Sequence, residues 1–299
     1  MFLKVSKDKK DNTYNDKIKT VVKLIERADA VIIGAGVGLT KAAGDYFDEN
    51  NFKAEFGDFI DKYGFKNMKE AADYKFASDE EKWAMTSRYV YLNRYKREIN
   101  DTYKFLYNIV KNKKYFVITT NLESVFQEVG FIESRLYNTH GDYGLFQCSI
   151  ACHNKTYDNK NVICRMVELQ RDMKVPSELI PVCPKCGNQM SYNLRVDNSF
   201  VENAKYERSL LRYETFVSNN ANKKVVFLEI GVGHDRPGVI KYPFWNMVKR
   251  NRNASYICIN ADDASFTPEI KDVAIGIEGN ITEILENINK KMKKSLHYE

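Results

Sequence analysis

Apolar positions along this chain follow two different periods, and their alternation predicts its elements. Ile18, Val21, Val22 and Ile25 recur at the three-and-four spacing of an amphipathic helix starting at Asp16. The charged residues before it, 1–15, read as a mobile leader. Ala30, Val31, Ile32 and Ile33 then form a continuous apolar run, the pattern of a strand buried on both faces. It meets Gly34-Ala35-Gly36-Val37-Gly38, a composition suited to a tight turn into a helix start. From Asp48 to Asn100 there is no strand-like alternation. Within that stretch Asp79 to Asn100 reads as a helix, with Ser78 or Asp79 as its cap and Trp83, Val90 and Tyr91 available for burial. The segment is too long for a simple loop and is expected to act as an insertion or lid over the first crevice.

A further α/β unit follows. Tyr103, Leu106, Tyr107 and Val110 make a helical stripe, Tyr115 to Thr120 a strand ending in Asn121, and Leu136 to Thr139 a shorter strand ending in His140-Gly141. After residue 220, Val225 to Ile230 is a strand ending in Gly231-Val232-Gly233, and Tyr242 to Arg250 a helix. Tyr256 to Ile259 is a strand ending in Asn260, Val273 to Ile277 another, and Ile281 to Lys290 a closing helix. Strands alternating with helices predict the α/β class with a parallel sheet. Phe146 to Asn203 differs in kind: five of the six cysteines and three of the six prolines lie there, with few apolar runs, as in a small module stapled by something other than a core.

Composition narrows the function. With 43% hydrophobic and 29% charged residues, the 299-residue chain has the make-up of a soluble globular protein. The net charge of +6 is mild, part of it lies in Lys4 to Lys10 and Lys290 to Lys294, and no nucleic-acid motif accompanies it. Met1 to Asn12 lacks the apolar core of a signal peptide, and no apolar run approaches the roughly 18 residues of a membrane span. The expected location is the cytoplasm, where cysteines serve as metal ligands, catalytic groups or buried thiols rather than disulfides.

Two constellations carry chemistry. Cys148-x3-Cys152 and Cys183-x2-Cys186 are paired knuckles separated by 30 residues, and four thiolates suit a closed, structural tetrahedral zinc site. His153 or Cys164 could replace one ligand, while Cys258 reads as a core residue. The other constellation is Thr119-Thr120-Asn121 with His140-Gly141, at the carboxyl ends of strands where open α/β sheets bind ligands. An imidazole there can act as a general base, and an Asn can hold a water or a sugar hydroxyl. His234 competes for that role, and His297 lies in the tail. The glycine turn does not complete a dinucleotide fingerprint, because Leu39 occupies the third glycine position.

In this order (Gly34-Ala35-Gly36, Thr119-Thr120-Asn121, His140-Gly141, the cysteine knuckles, Gly231-Val232-Gly233, then Ile257 to Asn260) the motifs resemble those of a sirtuin over about residues 18–290. Gly141 to Cys148, Thr156 to Asn159, Asn193 to Arg195 and Ile240 to Trp245 resemble the class M branch, the microbial sirtuins associated with macrodomain proteins. The resemblance implies a Rossmann-like NAD domain from residues 16–47, 101–145 and 206–292, a helical insertion at 48–100 and a zinc-ribbon module at 146–205. It implies that Gly34, Ala35, Gly36 and Gly233 line the adenine and pyrophosphate pocket beside Gly38 and Gly231. It also implies that Asn260 meets the adenosine ribose, Asn121 the nicotinamide ribose and Glu123 the carboxamide, and that His140 is the base. Asn198 to Asn203 stands near the usual substrate-docking loop.

The chain departs from the sirtuin pattern in three places. Gly38 replaces a Ser, Ala42 to Phe47 replaces the Gly-Ile-Pro-Asp-Phe-Arg run, keeping Asp45 but losing the Arg, and Glu123 stands where the Thr-Gln-Asn-Ile-Asp motif ends in Asp. His140 keeps the general sirtuin base, whereas class M members often carry Gln there. The implied activity is NAD-dependent mono-ADP-ribosylation of a protein, by analogy a lipoyl-carrier H-like protein, with a macrodomain hydrolase reversing the mark. The alternatives are NAD-dependent lysine deacylation, NAD hydrolysis, and a non-catalytic NAD or ADP-ribose sensor.

Overall fold

The computed structural model describes residues 7–44, 49–98, 100–234 and 237–295. Its strands are β1 (Ala30–Ala35), β2 (Tyr115–Thr119), β3 (Leu136–Asn138), β4 (Gly141–Cys148), β5 (Tyr157–Asp158), β6 (Met190–Leu194), β7 (Val225–Ile230), β8 (Ser255–Asn260) and β9 (Ala274–Glu278). Six of them form one parallel sheet in the order β3-β2-β1-β7-β8-β9. The sheet grows outward in both directions from β1, so the order reverses between β1 and β7. That is the switch point at which doubly wound sheets open a crevice beyond their carboxyl ends. Every residue of β1 and of β7 is buried, as the unbroken apolar runs require for strands covered on both faces.

The helices are α1 (Lys7–Arg27), α2 (Val37–Ala42), α3 (Glu49–Tyr63), α4 (Met68–Asp73), α5 (Asp79–Val90), α6 (Asp101–Val110), α7 (Val125–Glu128), α8 (Lys160–Leu169), α9 (Ala204–Asn220), α10 (Lys241–Arg250) and α11 (Ile281–Ser295). The stripes of α1, α6 and α11 bury Val21, Ile25, Leu106, Ile284 and Ile288 against one face of the sheet. On the other face, α9 and α10 pack Tyr213, Phe216 and Phe244 against Phe116, Phe227 and Tyr256. Charge is also buried here: Lys241 Nζ lies 2.5 Å from Glu229 Oε1, both side chains are fully buried, and Tyr256 donates to Glu229 Oε2 at 2.6 Å. Among the described residues no helix is long and apolar enough to cross a membrane.

A smaller three-stranded antiparallel sheet, β5-β4-β6, carries the cysteine knuckles. The cysteine-rich segment has a core after all, because α3–α5 supply it. Phe52, Phe56, Phe59 and Trp83 pack with Phe146, Ile163, Met166 and Met190 in one cluster. Three other expectations need correction. α1 already runs from Lys7, inside the expected leader. The helix expected to reach Asn100 ends at Val90, capped at its start by Ser78 accepting from Glu81 N, and passes into a π turn over Tyr91–Tyr95. Helices α8 and α9 were not foreseen, since their apolar residues are spread among many charged ones.

Candidate active site

The sheet register places the strand ends side by side. Asn138, Thr119, Ala35, Ile230 and Ile259 form one row across β3, β2, β1, β7 and β8. Residues just beyond that row, His140, Asn121, Gly36, Gly231 and the last β8 residue Asn260, therefore follow one another along the carboxyl end of the sheet. Hydrogen bonds extend the ladder past the row. The Thr119 hydroxyl donates to Ala35 O at 2.9 Å and accepts from Asn121 N at 3.0 Å, and Thr139 N donates to Thr119 O at 2.9 Å.

At the switch point the backbones of β1 and β7 touch. Gly38 N donates to Gly231 O at 2.9 Å, and a Cβ on Gly231 would lie 2.3 Å from Leu39 N. Gly231 also has φ +61°, a conformation that favours glycine. Beside this contact lies a cavity of about 610 Å³ lined by Val37, Gly38, Lys41, Gly231, Gly233 and Asn260, among others. Asn260 Nδ2 donates to Val232 O at 3.0 Å and so holds the β7 exit loop. Gly34 and Ala35 do not line this cavity. A Cβ on Gly34 would meet Ile240 and Phe244, so this glycine lets α10 approach the sheet, and Ala35 is buried in the core. Gly36 abuts Gly231 O and Val232. Asp45 lies outside the described residues, as does His297.

Deeper in, Glu123 is 5% exposed and its carboxylate gathers several side chains. Oε1 accepts from the Thr40 hydroxyl at 2.5 Å and the Tyr103 phenol at 2.9 Å, and Oε2 accepts from Leu122 N at 2.9 Å. Asn121 Nδ2 donates to the Tyr103 oxygen at 3.3 Å. Burial, and then the Glu123 charge, push the Tyr103 phenol well above its ordinary pKa, so it stays a donor. Arg97 donates through Nη2 to Thr40 O and Ala43 O at 3.3 and 3.2 Å, and its Nη1 stands 3.9 Å from Glu123 Oε1. Thr40, Tyr103 and Arg97 carry no motif. The available signal was Tyr103 on an inward stripe, since a buried phenol needs a polar partner.

His140 is partly buried, with Nδ1 2.8 Å from the Thr139 hydroxyl oxygen. Its carbonyl accepts from Arg195 N at 2.9 Å, and the Arg195 guanidinium lies over Phe200, 4.4 Å from the ring centre. The loop expected for substrate docking is tied down from inside. Gln147 accepts from Val201 N at 2.9 Å and donates to Ser199 O at 2.7 Å. His234, half exposed, pairs with Asp263 at 2.9 Å beyond β7.

The metal centre assembles from the four expected cysteines. The sulfurs of Cys148, Cys152, Cys183 and Cys186 all lie within 4.8 Å of one another, with Cys148–Cys186 and Cys152–Cys183 at 3.6 Å. Tetrahedral zinc with Zn–S bonds of about 2.3 Å requires sulfurs roughly 3.8 Å apart, so the set fits. Cys164 is not in the cluster. His153 Nδ1 lies 3.0 Å from Cys152 Sγ while its Nε2 meets the Tyr157 hydroxyl at 2.8 Å, which places it around the thiolates rather than among them. Cys258 is buried on β8, as expected of a core residue.

No protein-family model matches the chain. It is 35% identical over 262 residues to the protein ADP-ribosyltransferase of Staphylococcus aureus, covering 87% of this chain and 83% of that one. It is 27% identical over 253 residues to a probable bifunctional ADP-ribose hydrolase/ADP-ribosyltransferase of Fusarium oxysporum f. sp. cubense, spanning 81% of this chain and 42% of that longer protein. Among solved structures, a Sir2 homologue–NAD complex superposes with a TM-score of 0.60 at 18% identity, covering 93% and 94% of the two chains. A mutant Sir2 homologue–ADP-ribose complex gives 0.62 at 15% identity, covering 94% and 98%. At these identities the solved structures establish the fold.

Proposed function

The chain belongs to the family of the Staphylococcus aureus protein ADP-ribosyltransferase and has the sirtuin fold, and we propose that it cleaves nicotinamide from NAD and passes ADP-ribose to a protein acceptor. The observation that carries this reading is the common edge. A cavity beside the Gly38–Gly231 contact opens past the ends of β1, β7 and β8, and Asn121, Glu123 and His140 follow the ends of β2 and β3 in the same row, although they do not line that cavity.

Breaking the nicotinamide–ribose bond develops positive charge on the ribose, and catalysis rests on positioning and on fixed dipoles around that charge. In this reading Gly38, Gly231, Gly233 and Asn260 hold the adenosine half. Asn121, fixed through Tyr103, takes a nicotinamide-ribose hydroxyl, and Glu123 supplies a buried negative charge next to it. The acceptor determines the product. We assign the chain to the class M branch, with a lipoyl-carrier H-like protein as acceptor and a macrodomain hydrolase reversing the mark. Both assignments rest on the motifs at Gly141 to Cys148 and Ile240 to Trp245. The Cys148–Cys152–Cys183–Cys186 site would hold zinc as a brace for the small sheet, at a distance from the chemistry.

A second reading is lysine deacylation, supported by the presence of His140 beyond the end of β3; in that reading its imidazole, held by the Thr139 hydroxyl, serves as the base for a ribose hydroxyl. The test is incubation with NAD, following free nicotinamide with and without a lipoylated H-like protein or an acetylated peptide. Nicotinamide together with ADP-ribosylated carrier protein is expected. No nicotinamide under any condition overturns the enzymatic reading. His140→Gln is expected to spare transfer while abolishing any deacylation.

A further inference from the structure

A second cavity lies against β3, the strand that ends the order of the parallel sheet. Its volume is about 80 Å³. Its walls are α7 and the short turn Glu133–Arg135 on one side, α9 on the other, and the start of β4. Lys205 on α9 and Glu133 on the turn, both largely exposed, pair at 2.6 Å at its mouth. Asn121, Glu123 and His140 do not line it, so the NAD reading leaves it without a use.

Most polar groups around this cavity are already engaged. Asp142 accepts from Arg94 Nε at 3.1 Å, Ser124 Oγ at 2.6 Å and Gly144 N at 2.7 Å. Ser209 donates to Tyr206 O at 2.7 Å, and Asn203 caps α9 by accepting from Lys205 N and Tyr206 N. Two side chains from opposite walls stand apart. Gln127 Oε1 on α7 and Arg212 Nε on α9 are both buried with no hydrogen-bond partner in the protein. The acids in the wall, Glu133 and Asp142, are taken by Lys205 and Arg94, which leaves the Arg212 charge uncompensated. The backbone adds a donor. Thr139 N donates to Thr119 O, so by the alternation along a strand the Asn138 N–H points away from β2, toward the cavity.

These groups select a ligand class. A guanidinium N–H and an outward backbone N–H call for an anion, and the two acids nearby do not oppose it because each is neutralised by its own partner. One uncompensated cation matches one negative charge, which favours a carboxylate over a doubly charged phosphate. Gln127 Oε1 only accepts, so the anion must also carry a donor. Size narrows the choice further. At about 30 Å³ per water in the liquid, the cavity has room for roughly three water-sized groups. That excludes a nucleotide and admits a carboxylate with one more carbon and a hydroxyl.

We propose that this cavity is a binding site for a small 2-hydroxy carboxylate, separate from the NAD crevice. Its carboxylate accepts from Arg212 Nε and the Asn138 N–H, and its hydroxyl donates to Gln127 Oε1.

Titration of isotope-labelled protein with glycolate, followed by NMR, tests the assignment. The Asn138 and Gly141 amides should shift at millimolar concentration, the affinity range of so small a ligand. Acetate, which lacks the hydroxyl, should bind about 3- to 10-fold more weakly, the worth of a neutral hydrogen bond, and Arg212→Met should weaken glycolate roughly 10- to 100-fold, that of a charged one. Gln127→Leu should bring glycolate down to the acetate affinity and leave acetate itself unchanged. No shift of these amides up to about 50 mM glycolate means that solvent alone completes the cavity, and overturns the proposal. Undiminished binding by Arg212→Met, or equal binding of uncharged glycolamide, overturns it as well. Inorganic phosphate binding more tightly than glycolate overturns the carboxylate assignment. Should Arg212→Met not fold, the Gln127→Leu comparison, made on the opposite wall, decides by itself.

Discussion

Replacing Tyr103 by Phe isolates the polar link between the fold and the crevice. The ring is fully buried and meets Phe126 edge-on at 5.0 Å, and Phe preserves that packing. The change then removes two hydrogen bonds: the 2.9 Å donation to the Glu123 carboxylate and the 3.3 Å acceptance from Asn121 Nδ2. A hydrogen bond to a charged group contributes about 1.5–3 kcal/mol and a long neutral one about 0.5, so the expected destabilisation is roughly 2–3.5 kcal/mol. For a chain of this size that lowers the melting temperature by roughly 3–6 °C. Asn121 loses its anchor at the same time, and a misplaced positioning group costs on the order of 10- to 100-fold in turnover. Thermal melts and nicotinamide release with excess NAD measure the two effects. A variant with the wild-type melting temperature and wild-type turnover would refute the reasoning. A lower melting temperature with unchanged turnover would show that Asn121 is held from elsewhere.

Two further perturbations test the supports of the site. Protein purified without chelator should contain about one zinc per four-cysteine set, and Cys183→Ser should remove it and melt at lower temperature; elemental analysis near zero zinc in the wild type would remove the metal centre. Lys241→Met strands Glu229 in the core with only Tyr256 and Cys258 as donors, and should cost about 3–5 kcal/mol. Adding Glu229→Leu should recover most of that loss in denaturant unfolding, and failure to recover would mean that the pair is not energetically coupled.

Much of the parallel sheet was legible because its strands are continuous Val/Ile runs that end in glycine or Asn, and burial on both faces leaves such runs no other use. Val225 to Ile230 coincides with β7 for this reason. The cysteine cluster was legible because chelate spacing is local. Long-range pairing was not. Nothing near Arg97 or Thr40 in sequence announces that Glu123, 26 residues beyond Arg97, collects both. The packing of Gly34 was hidden for the same reason: a glycine in a turn and a glycine under a crossing helix look alike until Phe244, 210 residues on, is in place. The core of the cysteine-rich segment was also hidden, since its aromatic half comes from α3–α5.

The register of β1 has a consequence for how the chain is made on the ribosome. One edge of β1 pairs with β2, which begins at Tyr115; the other waits for β7, which begins at Val225. At synthesis rates of about 5–20 residues per second, that second edge stays open for roughly 10–40 s after β1 emerges. Through this interval an all-apolar strand, Ala30–Ala35, has one unpaired edge on the nascent polypeptide, which is a template for association with other chains. Slower elongation after β2, or a shortage of holdase chaperones, is therefore a burden on yield that falls before the NAD crevice exists.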